Sequence, residues 1–115
     1  MTNAIDRATI VDALKTVPEL SVTPTTPDTI VPNAAWPAWS STVWRNPCVT
    51  TSEWFVFVIA PNGNNESTVD AADDVMEAVD AALWPIAKVT RREPWRIPME
   101  AGQQTVPVVR YTLEI

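Results

Sequence analysis

The sequence predicts an α+β fold: a mostly antiparallel sheet of four to five strands, two helices packed on one face, and a long Pro- and Trp-bearing hairpin. Three observations predict it. Residues 53–60 read Glu-Trp-Phe-Val-Phe-Val-Ile-Ala, an apolar run of aromatic and β-branched types. Such a run is too short to span a bilayer and suits a strand buried on both faces. Downstream, Val69, Ala72, Met76, Val79 and Leu83 recur at three- and four-residue steps, the period of one helix face. At the end of the chain Val109, Tyr111, Leu113 and Ile115 alternate with Arg110, Thr112 and Glu114, as in a strand with one buried and one wet face.

The first element is a helix over residues 3–17, capped by Asn3, with Asp6 in its first turn. Ile5, Ala8, Ile10, Val11 and Leu14 form its apolar face, and Pro18 closes it. Leu20-Ser21-Val22-Thr23 alternates like a short strand before Pro24 and Pro27 interrupt it. Residues 25–37, rich in Thr and Pro and without a helical period, read as an extended loop ending in Trp36-Pro37-Ala38-Trp39. Residues 38–45 have strand chemistry, and Val49-Thr50-Thr51 leads into the buried run, so the two segments are expected to pair as an antiparallel hairpin. Pro61-Asn62-Gly63-Asn64-Asn65 stops that run. Ser67 is the expected cap of the second helix, with Asp70 three residues on, and Trp84-Pro85 ends it. A strand follows over residues 87–97, in which Pro94 marks a bulge or an edge. Residues 100–104 read as a turn before the final strand.

The totals narrow the function. The 115 residues suit one domain with a single core. A net charge of −6 offers no basic stripe to displace phosphate counterions, which argues against tight duplex DNA binding. Cys48, the one cysteine, cannot close an internal disulfide. No basic-then-apolar leader is visible at the N-terminus, and no apolar run approaches the roughly 20 residues of a membrane span. The expectation is a cytosolic, soluble chain without a membrane partner.

A catalytic reading finds little to hold. The chain has no His, the commonest general base near neutral pH and the commonest metal ligand. Cys48 therefore lacks an activating partner and is expected to be a buried small apolar residue. Two glycines cannot make a phosphate loop. Asp70, Asp73, Asp74, Glu77 and Asp80 lie along a helix without the turn and carbonyls of a calcium loop, and read as a solvated face. Arg91-Arg92-Glu93 reads as charge placed on a strand edge against mispairing, with an anion site as the sharper alternative. No catalytic residue, metal or cofactor is expected.

Six Trp are many for this length. Trp54 and Trp84 belong to the central strand and helix and are expected in the core. Trp36, Trp39, Trp44 and Trp95 lie in Pro-interrupted segments. Either they cover the sheet within one chain, or they anchor a subunit boundary, where large rings are frequent hot spots. A sugar-binding platform is a third reading, but no clustered Asp, Asn or Gln accompanies the rings. The candidate interface is Trp36, Trp39, Trp44, Arg91, Arg92 and Trp95. Five of the eight basic residues fall between Lys88 and Arg110, opposite in charge to the Asp-rich second helix.

In this order of elements the chain resembles the tail terminators of long-tailed phages of actinobacteria. A short acidic chain carries an N-terminal helix over residues 4–17, a Pro- and Trp-bearing hairpin over 30–60, an Asp-rich helix over 67–83 and two closing strands. The resemblance covers almost the whole chain, in architecture and texture and not in any short motif. It implies a structural virion protein: a ring, hexameric in this family, on the head-proximal end of the tail tube. Such a ring ends tube polymerisation and offers the surface on which the head docks. The implied partners are further copies of the chain, the major tail tube protein and the head–tail connector or stopper protein, with DNA passing through the lumen unbound. Head–tail connector and tail-completion proteins share the fold and size and form the neighbouring reading. A small enzyme or ligand-binding domain is the reading from another class.

Overall fold

A computed structural model describes residues 3–18, 20–27, 31, 33–59, 66–98 and 105–115. In chain order the elements are α1 (Asn3–Leu14), β1 (Ser21–Val22), β2 (Ala34–Asn46), β3 (Val49–Val58), α2 (Glu66–Leu83), β4 (Lys88–Pro98) and β5 (Thr105–Glu114). The strands form one five-stranded sheet in the order β1-β2-β3-β5-β4. β1 runs parallel to β2, and every other pairing is antiparallel. The fold is therefore α+β with a mostly antiparallel sheet and two helices.

The two helices share one face of the sheet because their apolar stripes and the alternate residues of the strands bury each other. Ile10 and Leu14 of α1, with Val75, Val79 and Leu83 of α2, join Ala35, Trp54, Val56, Val58, Tyr111 and Leu113 in one buried cluster. Trp54, Val56 and Val58 sit on that face at two-residue spacing, the period that a strand imposes. Phe55 and Phe57 point the other way and are only partly buried, so the expectation of a strand buried on both faces is corrected: helices cover one side. The opposite face holds a smaller cluster of Ala34, Trp36, Ile59 and Val108, flanked by Phe57 and Ile97.

Several boundaries differ from the sequence reading. α1 ends at Leu14, and residues to Val17 follow in turns, where the amide of Val17 donates to the carbonyl of Leu14 at 3.0 Å. β2 begins at Ala34, four residues before the expected strand, because Ala35 and Trp36 find core positions on opposite faces. In β4 the register shift falls between Val89 and Arg91, not at Pro94, which pairs in register with Val109 on the sheet's edge strand. Cys48 is exposed at the β2–β3 turn and is not the buried apolar residue expected. The expected turn at residues 100–104 and the stop at 61–65 lie outside the described residues, as do the side chains of Ser67 and Asp70; α2 begins at Glu66.

The ladders also give the sheet two projecting ends. β3 pairs with β5 from Glu53↔Glu114 to Val58↔Val109, and Ile115 closes on Ser52 with hydrogen bonds of 3.0 and 3.1 Å. Beyond that point residues 43–51 pair only with each other across β2 and β3, from Val43↔Thr51 to Asn46↔Val49. At the other end of the sheet β4 and β5 continue together past Val58, from Trp95↔Val108 to Pro98↔Thr105. Antiparallel geometry thus sends one ribbon out of each end.

Candidate interaction surface

The face turned away from the helices is organised by Arg110. Pairing of Phe57 with Arg110 and of Glu93 with Arg110 puts all three side chains on this face, with Phe55 and Trp95 one step along their strands. The guanidinium carbon of Arg110 lies 3.7 Å from the centre of the Trp95 ring and 4.5 Å from that of Phe55. Glu93 accepts an ion-paired hydrogen bond from the same guanidinium. Only 15% of the Arg110 side chain is exposed, and its Nε is buried without a hydrogen-bond partner. Two ring faces and a carboxylate hold the cation in place, the arrangement for which a planar guanidinium is suited.

Beside this cluster lies a shallow cleft of about 290 Å³ lined by Glu53, Phe55, Thr90, Arg91, Arg110 and Thr112. Glu53 accepts from the Ser40 hydroxyl at 3.0 Å, and Arg91 lies 4.0 Å from Glu93. A second shallow cleft of about 390 Å³ sits on the β4–β5 ribbon between Pro94, Trp95, Arg96, Pro107 and Val108.

The structure does not gather the six candidate interface residues into one patch. Trp39 pairs with Trp54 and Trp44 with Thr50, which puts both indoles on the helix-bearing side of the β2–β3 ribbon. Both are exposed, Trp44 by 69%. Trp95 and Arg91 are exposed on the other face of the sheet, on β4. Arg92 faces α2 and donates to Asp80 at 2.5 Å; the Asp80 carboxylate raises the already high pKa of this guanidinium. Trp36 is 1% exposed and stacks against Phe57 with centroids 5.6 Å apart, so it belongs to the core of this chain and offers no ring to a neighbour.

Besides Cys48 and Trp36, sequence reasoning misplaces Trp84 and misses Arg110. Trp84, expected in the core, is 70% exposed. It follows Leu83, which fills the last buried position of α2, and the next residue of a helix turns about 100° away from the core. Arg110 occupies a "wet" position in an alternating strand, and only the neighbouring strands reveal that the position is roofed by rings. On the helix side, Tyr111 is fully buried and its hydroxyl donates to the Met76 carbonyl at 3.2 Å. Burial, with Asp80 nearby, pushes the phenol well above its ordinary value.

Among the described residues no three His, Cys, Asp or Glu side chains converge as a metal site, and no helix is long and apolar enough to cross a membrane. No protein family matches the sequence, and no curated protein matches it either. Architecture and surface chemistry therefore carry the functional reading.

Proposed function

We propose that the chain is a structural subunit of a phage tail: a tail terminator whose copies close into a ring on the head-proximal end of the tail tube. The ring ends tube polymerisation and presents the surface on which the head connector docks. The observation that carries this reading is the β2–β3 ribbon. A two-stranded ribbon is marginal by itself, yet this one extends beyond the sheet with Val43 and Trp44 exposed along it and Trp39 exposed at its base. Large rings displayed on a projecting ribbon are stabilised by packing against another protein surface, where such residues dominate binding. The rest of the surface supports assembly over turnover: both clefts are shallow, and the Arg110 cation is held by Glu93 and two rings.

Ring closure needs two different patches on each subunit, and the two ends of this sheet differ in shape and chemistry. A net charge of −6 also suits a lumen through which DNA slides without being held. The test is a capping assay. Purified tail tubes incubated with the protein should stop elongating and carry a ring at one end. A chain that stays monomeric at high concentration and leaves tube growth unchanged would overturn the proposal, and binding to heads in place of tubes would assign it to the neck.

A further inference from the structure

The two edges of the sheet are guarded unequally. Ile115 and Ser52 exchange both of their hydrogen bonds, so the odd-numbered residues of β5 turn their peptide groups to β3 and the even-numbered ones turn theirs to β4. Pro94 and Pro98 lie opposite Val109 and Thr105 and therefore occupy positions of β4 that face away from the sheet, where neither has an amide to offer. Lys88, Arg91, Arg92 and Arg96 add charge to the same strand. The β2 edge has no such guard. β1 covers it only at Ala34 and Ala35. Past the bulge between Trp39 and Ser41, residues 41–44 keep regular register with β3, and no charged residue lies between Ala34 and Trp44. Because Ser52 uses its peptide groups on Ile115, its β2 partner Thr42 turns its own to the open side, and so does Trp44 two residues on. Among the described residues no strand pairs with that stretch of edge.

We propose that two copies of the chain join through this edge, β2 antiparallel to β2, about a two-fold axis at Val43. The contact is independent of the ring reading and concerns the chain free of a tube. Outward peptide groups must meet outward peptide groups, so Thr42 of each copy pairs with Trp44 of the other and Val43 faces itself. The two Trp44 rings then become diagonal neighbours on the helix-bearing side, within reach of each other. Charge does not oppose the match. Arg45, the nearest ionised residue of β2, falls opposite Ser41 of the other copy and not opposite itself, and Ser41 pairs on its far side with Glu53. Joining converts two projecting two-stranded ribbons, each marginal alone, into one four-stranded sheet. The β4 edge cannot take the same role, since its prolines withhold the donors that strand addition needs. An isologous contact of this kind closes at two copies.

The experiment uses the full chain without tubes, carrying Cys48→Ser to remove the exposed native thiol at the ribbon tip. Val43→Cys then places a thiol on the axis, where the two Cα atoms of a non-hydrogen-bonded pair lie about 4.5 Å apart, close enough for a disulfide. Air oxidation should link this variant into pairs about tenfold faster than Thr50→Cys, an exposed position on β3 one strand in from the edge. Sedimentation of the natural chain should show reversible pairs as concentration rises. Thr42→Pro removes an outward amide and leaves the β3 ladder intact, so pairing should weaken about tenfold or more with an unchanged far-ultraviolet spectrum. Thr42→Ala keeps the amide and should pair like the natural chain. A natural chain that stays monomeric throughout, equal linking at positions 43 and 50, or a folded Thr42→Pro variant that pairs as tightly as the natural chain would each overturn the contact. If Thr42→Pro does not fold, the linking comparison decides alone. Tube capping by a chain that fails these tests leaves the tail terminator reading standing, and pairing by a chain that caps no tube leaves this contact standing without it.

Discussion

The guanidinium of Arg110 lies 3.7 Å from the centre of the Trp95 ring, closer than it lies to Phe55 at 4.5 Å, and it pairs with Glu93. One side chain thereby ties β3, β4 and β5 together on the face without helices. Arg110→Ala should cost about 1–3 kcal/mol, through lost ring contacts and a Glu93 carboxylate left without its partner. Arg110→Lys should recover less than half of that, because an ammonium cannot lie flat between two rings. Denaturant unfolding of both variants checks this; equal stabilities for the Lys variant and the natural chain would mean that charge alone holds the cluster.

The six tryptophans should separate into distinct classes. Trp54 and Trp36 are buried, so Trp54→Ala and Trp36→Ala should each cost about 3–5 kcal/mol and leave little folded protein. Trp84→Ala and Trp44→Ala remove exposed rings and should change stability by no more than about 0.5 kcal/mol. Thermal melts of the four variants test the partition. A large loss for Trp84→Ala would restore that residue to the core.

Trp95→Ala should do both kinds of damage. The ring supports Arg110 inside the chain and lines the cleft on the β4–β5 ribbon, so its loss should lower the melting temperature and tube capping together. Trp44→Ala should lower capping alone. Comparing melting and capping for this pair distinguishes a residue that builds the surface from one that only projects from it.

Tyr111 gives a pH dependence. Its phenol is pushed above the ordinary value by burial, so the folded chain holds that proton more tightly than the unfolded chain does. The resulting stabilisation is complete below the unfolded pKa of about 10 and is lost as pH rises through the folded value. Stability should therefore fall above about pH 10 more steeply in the natural chain than in Tyr111→Phe. The chain has one tyrosine, so the ultraviolet absorbance of its tyrosinate reports the same titration directly. Appearance of tyrosinate at the free-phenol pH in the folded protein would contradict the assignment.

The Arg92–Asp80 pair should matter little at neutral pH. Its side chains are 44% and 42% exposed, and pairs so placed contribute about 0–1 kcal/mol. Arg92→Ala should lower stability by that order and lose the effect in high salt, as a melt series at increasing ionic strength would show.

What the sequence determined by itself was the content of local patterns. Of the helix stripe read from the sequence, Val79 and Leu83 are buried on α2, with Val75 in the core where Met76 was expected, and the alternation of Tyr111 and Leu113 appears as the buried face of β5. These signals are legible because a helix or strand repeats its own geometry regardless of what lies across from it. The tertiary structure alone decided which pairings were made and which side of each strand was covered. Trp36 and Trp39 look alike in sequence, three residues apart beside one proline, yet one lies in a core and the other at the surface. Trp84 and Arg110 were likewise misread from local position, one turned outward past the last buried residue of its helix and the other roofed by rings from adjoining strands. Register and packing between distant segments set those outcomes, and no local period encodes them.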